Sequence, residues 1–98
     1  MSMAREIMHC KPGKAKELVK LFKQVVPLMK EYGIENVRIY TDVSGESYWT
    51  VVIEQDVKSV DDLSEGMRRS QTDPRIAGAL NGYHDLVIEG RRELFRVE

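Results

Sequence analysis

The sequence predicts an α+β domain in which one antiparallel sheet carries helices on a single face. Three observations carry that expectation. The stretch Glu35 to Gln55 alternates between apolar and mixed residues on either side of Ser44-Gly45-Glu46, the pattern of a hairpin. Apolar residues recur at helical spacing both before and after it. The final stretch, Arg91 to Val97, returns to a period of two, with Glu93, Phe95 and Val97 against Arg92, Leu94 and Arg96.

Taken in order, Met3 to Cys10 reads as a first strand, stopped by the turn signal Lys11-Pro12-Gly13. From Lys14 onward, Leu18, Leu21, Phe22, Val25, Met29 and Tyr32 fall on one helical stripe, with Lys16, Lys20, Lys23 and Lys30 mostly off it. Gly33 ends that helix. Pro27 lies inside it, removes a backbone donor and crowds the carbonyl of Lys23, so a bend is expected there. The bend either opens a cleft over the sheet or curves the helix around it.

In the hairpin, a turn at Ser44-Gly45-Glu46 sets Tyr40 opposite Thr50 and Arg38 opposite Val52. Val37, Ile39, Thr41, Trp49, Val51 and Ile53 then share an apolar face, with Trp49 expected in the core. Arg38, Tyr40, Tyr48, Thr50, Val52 and Glu54 fall on the other face. Ser59-Val60-Asp61-Asp62 matches a capping box with Asp in place of Glu, so a helix starts at Ser59 with Leu63 and Met67 as its stripe. Asp73-Pro74 begins another, which Ile76, Ala79, Leu80, Tyr83 and Val87 continue to Gly90. The whole is the ferredoxin-like βαββαβ order with an extra helical segment before the last strand. Both helical regions cover the apolar hairpin face, and nothing in the chain is left to cover the mixed one.

The 98 residues fit one domain, residues 1–98, with a thin core. A hydrophobic share of 42% with 32% charged residues is globular composition. With 15 basic and 16 acidic residues the net charge is -1, which argues against a general electrostatic grip on nucleic acid. Cys10 is the only cysteine, so neither an intrachain disulfide nor a cysteine zinc site can form. No run approaches the ~20 apolar residues of a membrane span, and Arg5 and Glu6 interrupt the place of a signal-peptide core. A soluble cytoplasmic protein with no membrane partner is expected.

Four segments carry a resemblance: Lys11-Pro12-Gly13-Lys14, the run Gly33 to Tyr40, Asp73-Pro74, and Gly90-Arg91-Arg92-Glu93-Leu94-Phe95-Arg96-Val97. On these the chain resembles the dimeric α+β barrel superfamily, and within it small bacterial NIPSNAP-like proteins. The resemblance implies a homodimer whose sheets face each other to close a barrel, with helices outside. It carries over no catalytic residues. Relatives in the superfamily include cofactor-independent monooxygenases, muconolactone isomerases, polyketide cyclases and haem-degrading enzymes. Of the asparagine, tryptophan and histidine typical of the last, only His84 has a counterpart in a comparable region.

Arg38, Tyr40, Tyr48 and Glu54, with His84 on the later helix, are the candidate ligand-binding residues, able to orient a small apolar or aromatic molecule. Arg38, Tyr40, Thr50 and Val52 are the expected contact with a second copy. His9 and His84 are the only histidines, too few and too far apart in sequence to point to a metal. Cys10 reads as a buried thiol. Lys11-Pro12-Gly13-Lys14 lacks the spaced glycines of a phosphate loop, and no nucleophile elbow or dinucleotide motif occurs. No cofactor is expected. The function expected is small-molecule binding between helices and sheet. The alternatives are a cofactor-independent monooxygenase, an isomerase or cyclase, or an interaction module without a ligand.

Overall fold

The computed structural model describes all 98 residues. Strand β1 (Ser2–Cys10) is followed by helix α1 (Ala15–Met29), a 3₁₀ turn (Lys30–Tyr32) and strands β2 (Glu35–Thr41) and β3 (Thr50–Val57). Helices α2 (Val60–Ser70), α3 (Pro74–Ala79) and α4 (Tyr83–Leu86) then lead to β4 (Val87–Arg96). The strands lie in the order β2-β3-β1-β4, and every neighbouring pair is antiparallel.

Local chemistry sets most of these boundaries. The Ser59 side chain accepts the Asp62 amide at 3.1 Å and starts α2, and Asp73 accepts the Arg75 amide at 2.9 Å ahead of Pro74. Helix α1 runs through Pro27 before its end narrows into the 3₁₀ turn, closed by Gly33. The later helical stretch is shorter than its periodicity suggests. Gly82 adopts φ 89, a conformation that stops α3 from joining α4, and strand β4 then begins at Val87 rather than Arg91. The positions Tyr83 and Val87 match a helical period because α4 is one turn that ends where the strand starts.

The hairpin keeps its faces but not its turn. Tyr40 pairs with Val52 and Arg38 with Glu54, a shift of two residues from the tight-turn register. A shift of two preserves side-chain direction. The connection is the loop 42–49, anchored where Asp42 accepts the Thr50 amide at 2.8 Å. Trp49 belongs to that loop, at φ 61 and 44% exposed, and is not a core residue. Its carbonyl instead accepts the Cys10 amide at 2.9 Å.

The closed homodimeric α+β barrel expected from the resemblance is overturned. The sheet is open, with β2 and β4 as free edges, and the molecule measures 34 × 34 × 18 Å, its short axis spanning one helical layer on one sheet. The mixed face needs no second sheet to satisfy its polar groups. Arg5 lies across the strands, 2.8 Å from Glu54 and 3.4 Å from Glu93, with its guanidinium 5.3 Å from the centre of the Phe95 ring. The Tyr40 hydroxyl donates to Glu54 at 2.8 Å, and Asn36 to Asp56 at 2.9 Å. Long side chains that pair with one another cover much of the apolar surface beneath them. Ile7, between Val52 and Arg91 in the ladder, is buried.

On the helical side the core falls into two groups. Met8, Cys10, Ala15, Leu18, Val51, Ile53 and Leu86 form one, while Ala4, Ile34, Val57 and Leu63 form the other. No helix of the chain is long and apolar enough to cross a membrane.

Candidate functional site

A cavity of about 380 Å³ opens between the helices and the sheet. Helix α3, which packs chiefly on α1, closes it on the helical side. Ile53 and Gln55 of β3 line it from the sheet, Phe22, Val25 and Met29 from α1, Met67 and Ser70 from α2, and Ile76 and Ala77 from α3. The volume lies at the low end of the range of small-molecule pockets, and the lining is mostly apolar with a few polar groups, as such pockets require.

Gln55 is the polar residue set deepest in this wall. It is 2% exposed, in an inward row with Val51, Ile53 and Val57, and its Nε2 has no hydrogen-bond partner. A buried donor left unmet costs on the order of 1–3 kcal/mol. Ser70 is occupied, since its hydroxyl donates to the Met67 carbonyl at 2.9 Å. Glu6 on β1 also lines the cavity and is bound by Arg92 of β4 at 2.7 Å. That guanidinium also lies 3.2 Å from the Met67 sulfur.

Tyr83 and His84 complete the wall from α4. The Tyr83 ring meets Phe22 edge-on at 6.0 Å and His84 at 5.2 Å. Burial, reinforced by the Glu6 carboxylate, pushes the Tyr83 phenol above its usual pKa, so it stays protonated at neutral pH. The Cys10 thiol is also pushed up by burial and is held as a neutral core group.

Of the residues singled out from sequence, only His84 stands at this cavity. Arg38, Tyr40, Thr50, Val52 and Glu54 lie on the opposite face of the sheet, where Glu54 is taken by Arg5 and Tyr40 rather than by Arg38. Those two bonds, the Tyr40 hydroxyl first, draw the Glu54 pKa down. Tyr48 is 86% exposed on the loop 42–49. The ring of His9 lies 3.2 Å from the Thr50 hydroxyl, on the side away from the helices. No three His, Cys, Asp or Glu side chains come together to hold a metal. Gln55, Glu6 and Tyr83 were missed as site residues. The signal for Gln55 was present: it continues the apolar row Val51, Ile53 on the helix-facing side of its strand.

No protein-family model matches the chain, and no curated protein does. Solved structures match over its full length. An uncharacterised NIPSNAP domain protein from Burkholderia xenovorans superposes with a TM-score of 0.81 at 15% identity, covering 100% of this chain and 95% of that one. A NIPSNAP family protein of unknown function from Agrobacterium tumefaciens gives a TM-score of 0.87 at 20% identity, covering 99% of this chain and 87% of that one. A candidate antibiotic biosynthesis monooxygenase from Nitrosomonas europaea gives 0.74 at 11% identity, covering 99% and 98%. The fold is therefore the α+β fold of the NIPSNAP domain proteins, shared with monooxygenase-type chains, and likeness at these identities speaks for fold alone.

Proposed function

We propose that this protein binds a small apolar or aromatic molecule in the cavity between helices and sheet. The carrying observation is a space of about 380 Å³ between helices and sheet, walled mostly by apolar side chains with the buried amide of Gln55 among them. A concave, mostly apolar wall with a few polar groups is the usual form of a small-molecule site. Phe22 and Leu80 line the cavity without filling it, and Trp49 takes no part in its wall, which speaks against a solid interaction module. Of the polar candidates read from the sequence, Arg38, Tyr40, Tyr48 and Glu54 are absent from the cavity and only His84, which could serve as a proton-transfer group, is present. Binding is therefore preferred to catalysis.

The test is a filled cavity. Val25 is buried in its wall, and Val25→Phe places a ring in the space a ligand would take. Native mass spectrometry of the purified wild type is expected to show a retained adduct, or aromatic probes to raise its melting temperature, with both effects lost in Val25→Phe. A wild type that carries no adduct and melts unchanged with every apolar and aromatic probe would sink the reading.

A further inference from the structure

The polar groups of the cavity point to the kind of molecule it takes. We propose that Gln55 makes the site select neutral molecules bearing a single hydrogen-bonding oxygen on an apolar ring, as in a phenol or ketone, over both the bare hydrocarbon and the carboxylate. This rests on the binding reading above and goes beyond it by naming a specificity-determining residue.

Three observations carry it. First, Gln55 lines the cavity as an amide in a row of aliphatic side chains, 2% exposed and with its Nε2 unpartnered, so its hydrogen-bonding capacity is not met within the chain. A phenol meets either end of that amide, because its oxygen accepts from nitrogen and its hydroxyl donates to the carbonyl oxygen. Second, two other polar groups of the wall are already engaged, Ser70 with the Met67 carbonyl and Glu6 with Arg92. Third, no lysine or arginine lines the cavity, whereas Glu6 does. An anion would be desolvated beside a carboxylate whose cation is already taken, while a neutral oxygen meets no such cost.

The experiment titrates the full chain with naphthol, naphthalene and naphthoate, reading amide chemical shifts. Wild type should bind naphthol about tenfold tighter than naphthalene, the value of one well-made hydrogen bond, and naphthoate weakest. Gln55→Leu should bind naphthalene at least as well and lose the preference for naphthol. Should Gln55→Leu fold poorly, the shape-matched Gln55→Met serves the same comparison. Equal preference in wild type and variant overturns the role of Gln55 while leaving binding in place, and so does a wild type that favours naphthoate. Failure of all three probes to move any cavity amide overturns the binding reading itself.

Discussion

Asp73 shows how one residue can hold several elements at once. Its carboxylate accepts the Arg75 amide at 2.9 Å, the Arg75 guanidinium at 2.7 Å and the Tyr32 hydroxyl at 2.6 Å, so it caps α3 and ties it to the 3₁₀ turn that follows α1. The Arg75 bond, then the Tyr32 bond, hold its carboxyl well below the usual range, and the same pairing raises the Tyr32 phenol. A carboxyl depressed in the folded state contributes stability that is fully present above its unfolded pKa and is lost as pH falls through the folded one. Urea midpoints measured from neutral pH down into the acid range should fall in wild type below about pH 4 and fall less steeply in Asp73→Asn. Identical slopes would show that this carboxylate does not set the acid limit. The cap was legible in the sequence because Asp-Pro is a local signal. Its bond to Tyr32, which arrives from 41 positions away, was not.

Among elements, α2 meets the 3₁₀ turn at a close backbone approach, with Arg69 stacked 5.5 Å from the centre of the Tyr32 ring beside it. A Cβ added at Gly66 would lie 2.5 Å from the Tyr32 carbonyl oxygen, so this glycine sets how near α2 can come. Alanine inside an exposed helix is usually stabilising by about 0.5–1 kcal/mol relative to glycine. Here the sign should reverse: Gly66→Ala is expected to cost about 1–3 kcal/mol, the range for overpacking, and to be seen as a lower chemical-denaturation midpoint. An unchanged or raised midpoint would mean that α2 can slide off the turn freely. The helix starts at Ser59 and Asp73, and the faces of β2 and β3, were readable because caps and alternation are local. The hairpin register slipped by two because its turn was inferred from Gly45, whereas the loop is held by Asp42 on the Thr50 amide. Trp49 was misplaced for the same reason, since a strand running through it would have turned it inward. The helical period through Tyr83 and Val87 also hid the break that Gly82 imposes.

At the scale of the molecule, the cavity and the uneven packing of the helical layer are the same fact. The central strands β1 and β3 are paired on both sides, while α3 packs chiefly on α1 and roofs the space instead of filling it. Gln55 was visible as an amide in an apolar row, but only the folded arrangement of α1, α2 and α3 over β3 shows that this amide borders a space. Elements with few buried contacts open at lower free energy than the rest of a fold. In the free protein the amides of Ile76 to Leu80 should therefore exchange with solvent much faster than those of β1 and β3. A ligand that needs α3 in place to be held would stabilise the closed form by mass action, because it binds only that form. With naphthol at about 100 times its dissociation constant, protection of the α3 amides should rise by up to about 100-fold, and the slowest amides of β3, which exchange by global unfolding, should rise by up to the same factor. If α3 is already as protected as the central strands without ligand, or gains nothing when the cavity is occupied, the roof is rigid and the space beneath it is not a site that closes over its contents.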